Sequence, residues 1–278
     1  YRKCMLLIMP INKKGKPFLF LMNLFIIDNR GEKIMAKMNV NFISYTLKRA
    51  VDLTVVIPSV TIPECLDQTN LPTHKHDPFP VLYLLHGYGN NHATWTGYSN
   101  VELYAEERQI AVVMLSAENK FYCDHGGEDN YFTFVSKELP EFIQNTFPVS
   151  SRKEDTYICG LSMGGYGSLI HGLSHPENFG AIGSLSGAVS VGKEDEVEVY
   201  PLLKQEHLPP LYIACGKEDF LYEKNVELVN YLKEHHIEHT ADFVEGYTHE
   251  WRFWDLEVEK FMDWLPRQDA YASKKRKV

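Results

Sequence analysis

Apolar residues in the middle of the chain alternate between short continuous runs and stripes at helical spacing. Continuous runs occupy residues 53–60, 81–85, 110–116, 156–159, 181–185, 211–215 and 240–244. Runs of this kind, bounded by turn residues, predict strands that are buried on both faces. Helix-spaced apolar positions occur within residues 139–147, 222–232 and 254–265. Because strand and helix signals alternate, the pattern predicts one α/β domain with a mostly parallel sheet.

The two ends of the chain differ from this middle. Three lysines precede an apolar run at residues 18–27, which imitates a secretion signal, but no small-residue cleavage site follows. The run is also too short to span a bilayer. We therefore expect residues 1–37 to be an extension ahead of a natural start at Met35 or Met38, and a chain beginning at Met38 to fold. Residues 268–278 are expected to be a solvated basic tail, although the last six resemble a nuclear-localisation peptide.

Composition narrows the classes of partner. A net charge of −9 disfavours nucleic acid or an anionic membrane as the main partner. Five cysteines, an odd number without any Cys-x-x-Cys pair, favour a reducing compartment, so a cytoplasmic location is expected. Secretion is the alternative if the apolar run at 18–27 acts as a signal. His74 and His76 lack further ligands at a recognisable metal-site spacing, so neither a metal nor another cofactor is expected.

Residues 160–164 form a Gly-x-Ser-x-Gly motif between a predicted strand and a predicted helix. In that context the motif indicates a tight turn that projects Ser162 above the sheet as a nucleophile. Glycines flank the serine because side chains at Gly160 and Gly164 would collide across the turn. The alternative is that small residues here only allow a helix and a strand to pack closely.

A serine nucleophile needs a base and an acid, which follow it along the chain in this fold. Among the later histidines, only His249 lies in a loop after the last predicted strand, where ligands of open α/β sheets bind. Asp219 and Glu218 follow the strand at 211–215 and compete as the acid. We favour Asp219 because Phe220 and the leucine after it could bury its carboxylate, whereas Glu218 would face solvent.

An oxyanion hole is predicted from the glycine-rich residues 86–90, which end another strand. Glycines such as Gly87 let the backbone approach a substrate carbonyl. The backbone N–H groups of Met163 and Tyr88 are the two expected donors. His86 precedes the serine, so we interpret it as a structural anchor.

Four aromatic residues are candidates for a shallow apolar substrate slot: Tyr88, Trp95, Phe220 and Trp251. The alternative is that they pack in the core, which we favour for Trp251 more than for Trp95. Residues 187–210 are too few for a large lid, so short or planar acyl groups are expected to reach the site.

Several segments together resemble the tributyrin esterase and feruloyl esterase group, which is related to S-formylglutathione hydrolase (esterase D). The matching segments are residues 85–90, 138–140, 160–167, 215–222 and 249–255. The resemblance covers nearly all of residues 38–265 and makes 38–267 an α/β-hydrolase domain. It implies a mostly parallel eight-stranded sheet with helices on both faces, little or no lid, a triad of Ser162, Asp219 and His249, and no metal.

The sequence thus predicts a serine esterase that forms an acyl-enzyme from small-molecule esters. Short-chain acyl esters and hydroxycinnamoyl (feruloyl) esters, including esters derived from plant cell walls, are the expected substrates. The alternatives are a thioesterase of the S-formylglutathione hydrolase type, an acyltransferase, and a catalytically inactive hydrolase fold that serves as a binding module.

Overall fold

A computed structural model describes residues 36–60, 62–66, 74, 76–192 and 197–273. The signal-like run at 18–27 and the basic peptide at 274–278 lie outside the described residues. The first strand of the described residues begins at Ala36, two residues before the expected boundary at 38.

Within the described residues, eight strands form one sheet in the order β1-β2-β4-β3-β5-β6-β7-β8. The strands are β1 (Ala36–Ile43), β2 (Ala50–Ile57), β3 (Val81–Leu85), β4 (Ala111–Leu115), β5 (Thr156–Leu161), β6 (Ala181–Leu185), β7 (Leu211–Gly216) and β8 (His239–Val244). Strand β2 runs antiparallel to both β1 and β4, and the remaining neighbours are parallel. The expected mostly parallel sheet is confirmed.

The central strands are buried along their whole length, as their continuous apolar runs predict. The edge strand β1 was not predicted, because only one of its faces packs on the core. Polar Lys37, Asn39 and Asn41 alternate with partly or fully buried residues, which produces a weaker signal than a continuous run. All eight residues of β1 nevertheless pair with β2.

The α-helices of the described residues cover both faces of the sheet. They are α1 (Ile62–Leu66), α2 (Thr94–Tyr98), α3 (Val101–Arg108), α4 (Tyr131–Thr133), α5 (Leu139–Thr146), α6 (Met163–Ser174), α7 (Val199–Leu202), α8 (Tyr222–Glu234) and α9 (Trp251–Trp264). A π-helical segment, Phe134–Glu138, joins α4 to α5. None of these helices has the length and apolar character that crossing a membrane requires.

Side chains of each central strand point alternately into two core layers. Tyr83 and Leu85 of β3 join the layer covered by α5, α6 and α8. Leu82 and Leu84 join the layer covered by α3 and α9. The expectation of helices on both faces is therefore confirmed, and the carboxyl ends of the parallel strands stay free to carry the site.

The segment after α9 packs on the domain and is not a free tail through residue 273. Arg267 and Asp269 form an ion pair with both side chains almost fully buried. The ring of Tyr271 stacks on Phe79 at 5.1 Å, and its hydroxyl donates to the carbonyl of Asp77. The fixed contacts of the domain therefore continue past the expected boundary at 268, as far as Tyr271.

Candidate active site

The turn between β5 and α6 has the strained geometry that the sequence motif predicts. Ser162 caps α6 with φ 54° and ψ −114°, a conformation that non-glycine residues rarely adopt. Its N–H donates to the carbonyl of Leu185 at 2.9 Å, which fixes the turn to the neighbouring strand. A Cβ on Gly160 would collide with the carbonyl of Gly164, and one on Gly164 would collide with the carbonyls of β3 and its following residue. Both glycines are therefore required by close backbone contact.

Ser162, His249 and Asp219 lie in one hydrogen-bonded line. The hydroxyl of Ser162 is 3.0 Å from Nε2 of His249, and Nδ1 of His249 is 2.8 Å from Oδ2 of Asp219. The Asp219 side chain is fully buried, whereas that of His249 is 20% exposed. With Nδ1–H donating to the carboxylate, Nε2 is left to accept the serine proton.

The carboxylate of Asp219 is held in its ionised form by its surroundings. Burial acts to raise its pKa, but hydrogen bonds from His249, from the N–H of Leu221 and from Ser186 outweigh burial and lower it. The contact to the Leu221 N–H is 2.8 Å. The expectation that Phe220 buries this carboxylate is wrong. Phe220 is 76% exposed, and its ring lies 4.6 Å from the imidazole of His249.

The expected oxyanion segment runs beside the nucleophile. A Cβ on Gly87 would lie 3.5 Å from Cβ of Ser162 and would collide with the side chain of Leu161. Met163 is the first residue of α6, so its N–H has no acceptor within the helix. The ring of Tyr88, the residue after Gly87, is 62% exposed.

His86 is an anchor beneath this segment, as the sequence predicted. Its Nδ1 lies 2.7 Å from the carbonyl of Gly87, and its Nε2 accepts from the N–H of Ala117 at 2.9 Å. Burial lowers the pKa of His86 to about 4. The imidazole is therefore neutral at physiological pH and fixed by hydrogen bonds at both nitrogens.

The aromatic candidates separate into core and surface residues. Trp95 is completely buried, and its indole N–H donates to the carbonyl of Leu85. It cannot contact a substrate, so its assignment to the substrate slot is wrong. Trp251 is partly buried between Trp95 and the exposed ring of Tyr98, on which it stacks at 5.2 Å. Phe220 keeps an exposed ring against the imidazole of His249, and Tyr88 keeps an exposed ring 6.0 Å from the ring of Phe121.

Two supporting residues were missed because they bond to backbone or to the acid, not to the nucleophile. Ser186 is buried with φ 45° and donates to Asp219. Asn225 of α8 donates to the carbonyls of Gly187 and Leu221 at 3.0 and 2.9 Å, which ties the loop of Asp219 to the loop after β6. Sequence spacing carries no signal for such contacts, since they join segments that are distant along the chain.

No group of three or more His, Cys, Asp or Glu side chains that could hold a metal ion occurs among the described residues. His74 and His76, the histidines with the H-x-H spacing, are both exposed.

Comparison with known proteins places the chain among esterases. It matches the Esterase family over residues 67–261. It is 32% identical to an acetyl esterase from Caldicellulosiruptor saccharolyticus over 84% of this chain and 99% of that protein.

Solved structures agree with the fold. The fluorophosphonate-binding serine hydrolase FphF of Staphylococcus aureus has a TM-score of 0.74 at 24% identity, over 84% of this chain and 99% of that one. An S-formylglutathione hydrolase from the same organism has a TM-score of 0.72 at 25% identity, with the same coverage. A ferulic acid esterase from Anaeromyces mucronatus has a TM-score of 0.68 at 17% identity, over 88% of this chain and 94% of that one. The chain belongs to the esterase family and is a serine esterase with the α/β-hydrolase fold.

Proposed function

We propose that Ser162, His249 and Asp219 hydrolyse carboxylic esters through an acyl-enzyme. His249 accepts the proton of the Ser162 hydroxyl as Oγ attacks the substrate carbonyl. Asp219 fixes the imidazole tautomer and stabilises the imidazolium that forms. The same imidazolium then protonates the departing alcohol. In the second half, His249 activates water, which attacks the acyl-enzyme and restores Ser162.

The backbone N–H groups of Met163 and Tyr88 are proposed to bind the oxyanion that forms in each half of the reaction. Removing one such donor costs roughly 3 kcal/mol of transition-state stabilisation in other enzymes. The α6 N-terminus supports the same charge, because the partial positive end of the helix lies at Met163.

One observation carries this proposal: the 3.0 Å contact between Ser162 and His249 at a turn where Ser162 is strained. The test is Ser162→Ala, which should fold and lose at least about a thousandfold in kcat. A fluorophosphonate probe should label the native protein and not the variant. Labelling that persists in the variant would move the nucleophile to another residue.

The surroundings of the triad favour short acyl groups. In the described part of residues 187–210, the only helix is the four-residue α7, whose Val199 is buried in the core. The described part of this segment therefore provides no large amphipathic lid over the nucleophile. Acetyl to butyryl esters of small alcohols are the proposed main substrates, and the family relationship to an acetyl esterase supports this.

A planar hydroxycinnamoyl group is the larger acyl group that we propose. The exposed ring of Phe220, which lies against His249, offers a flat apolar surface for it, and the exposed ring of Tyr88 follows Gly87 in the predicted oxyanion segment. Esters from plant cell walls are a natural source of such groups. Measuring kcat/KM for acetyl, butyryl, octanoyl, feruloyl and S-formylglutathione substrates tests the proposal. A preference for octanoyl would contradict the open site, and a dominant S-formylglutathione activity would replace esters as the substrates.

A further inference from the structure

Glu218 contacts the loop that carries His249. One of its carboxylate oxygens, Oε2, accepts hydrogen bonds from two consecutive backbone N–H groups, those of Gly246 at 2.8 Å and Tyr247 at 3.0 Å. Its own backbone N–H donates to the carbonyl of Tyr247 at 3.2 Å. Glu218 is exposed, as expected, but its carboxylate also bonds to the backbone of this loop.

The same loop is held closely against the end of β7. Gly216 has no room for a Cβ, because the carbonyl of Tyr247 lies against it. The N–H of Lys217 donates to the carbonyl of Val244 at 2.9 Å. Gly246 has φ 82°, a conformation that turns the chain sharply after β8 and exposes its N–H to Glu218.

We propose that Glu218 is a positioning residue for the catalytic base. Asp219 holds the imidazole ring of His249, and Glu218 holds the backbone two and three residues before it. Glu218 and Asp219, which both lie in the turn after β7, therefore fix the loop before His249 and the imidazole ring of His249, respectively. A charged acceptor for two backbone N–H groups is stronger than a neutral one, so the carboxylate adds to the backbone contacts that hold this loop against the end of β7.

Loss of the Glu218 contacts should lower activity because it changes the position of His249 relative to Ser162. This expectation rests on the proposed function of the triad. If the loop is released, the imidazole of His249 samples positions away from the Ser162 hydroxyl. A misplacement of about 1 Å at a reacting group can cost on the order of 100-fold in rate. Because Glu218 bonds to the loop that carries the catalytic base, the loss should fall on kcat and leave KM nearly unchanged.

Three variants test this proposal: Glu218→Ala, Glu218→Gln and Glu245→Ala. Glu218→Ala removes the acceptor and should lower kcat about 10- to 100-fold, with KM within about twofold. Glu218→Gln keeps an oxygen at the same reach, so its kcat should stay within about threefold of the native value. Glu245→Ala is the matched control, since Glu245 lies on the same loop but pairs only with the exposed Lys217; it should keep the native kcat.

Thermal unfolding of each variant separates positioning from folding. Glu218→Ala should unfold within a few degrees of the native protein. Native kcat in Glu218→Ala, an equal loss in Glu218→Gln, or a Glu218→Ala protein that does not fold would each overturn the proposal. Ser162→Ala is assayed alongside to test the triad separately from the role of Glu218. If Ser162→Ala stays active, the proposed triad is wrong, independently of the result for the Glu218 variants.

Discussion

At the scale of single residues, two adjacent acids differ in function because they face different groups. The Asp219 carboxylate is buried and bonded to Nδ1 of an imidazole, so it fixes the tautomer and orientation of the His249 ring. The Glu218 carboxylate is bonded to backbone N–H groups, so its charge acts on the position of a loop. Removing the charge should therefore affect Asp219 far more than Glu218.

We predict that Asp219→Asn lowers kcat by on the order of 10⁴ while the protein stays folded. An asparagine can donate from its N–H₂ group to Nδ1, which makes Nδ1 an acceptor and puts the ring proton on Nε2. A protonated Nε2 cannot accept the proton of Ser162. Steady-state kinetics and circular dichroism provide the measurement. Asp52→Asn is the control, because Asp52 is exposed and bonds only to Asn41 on the edge strand. A loss below about tenfold would show that Asp219 is not the acid.

At the scale of elements, the loop between β4 and α4 supports the oxyanion segment from below. Tyr122 is fully buried, has φ 60°, and donates its hydroxyl to the carbonyl of His86 at 2.8 Å. Asn119 accepts from the N–H of Gly89 at 2.7 Å. Glu118 and Phe121 also have positive φ values, so strained backbone is concentrated next to the site.

Tyr122→Phe should destabilise the protein by about 1–3 kcal/mol, because the buried carbonyl of His86 loses its donor. It should also lower kcat about tenfold, because the oxyanion segment starts at that carbonyl. Urea unfolding and ester hydrolysis provide the two measurements.

Tyr83→Phe is the matched control for this change. The Tyr83 hydroxyl is buried without a hydrogen-bond partner in the described structure, so its removal should leave stability unchanged or slightly higher. Equal effects of the two substitutions would contradict the assigned contact.

Elements with strong local signals were predictable, and those defined by tertiary contact were not. The buried strands and the elbow at Ser162 follow from apolar runs and from glycines that the turn requires. The burial of Trp95 depends on α2 packing between Leu85 and α9, which no local pattern encodes. Strand β1 was also not predicted, because its pairing with β2 is a tertiary contact and half of its residues face away from the core.

At the scale of the whole molecule, β1 sets where the domain can be shortened. Its Val40 is buried, and the ring of Phe42 stacks on Phe142 of α5 at 3.9 Å. Of the contacts made by described residues, a chain beginning at Met38 loses two end pairs of β1, the packing of Ala36 on the core and one exposed ion pair, that of Lys37 with Glu102. An exposed ion pair of this kind contributes about 0–1 kcal/mol.

We therefore predict that chains beginning at Ala36 and at Met38 have unfolding temperatures within a few degrees of each other and the same kcat. A chain beginning at Ser44 loses the whole strand, which removes roughly 1.5–3 kcal/mol for each buried apolar side chain and opens the edge of β2. It should unfold at a much lower temperature or aggregate. Insolubility of the chain that begins at Met38 would show that Ala36 and Lys37 are essential to the sheet.

Acid sensitivity of the whole molecule should depend on two buried histidines. Burial lowers the pKa of His86 to about 4 and that of His171 to about 3, and His175 adds to the effect on His171. The unfolded chain binds protons at these side chains below about pH 6.5, whereas the folded chain does not until the lower pKa is reached. The free energy of unfolding should therefore fall by up to about 1.4 kcal/mol per pH unit for each histidine, beginning below about pH 6.5.

His171→Gln tests this assignment, since glutamine cannot take up a proton. His171 is bonded to Ser136 at 3.0 Å and to the carbonyl of Tyr122 at 3.2 Å, so the variant should be less stable at neutral pH. Its loss of stability between about pH 7 and about pH 4.5, measured by urea unfolding, should nevertheless be smaller than that of the native protein. The exposed His235→Gln is the matched substitution and should keep the native slope. Equal slopes in all three proteins would mean that the buried histidine does not resist protonation in the folded state.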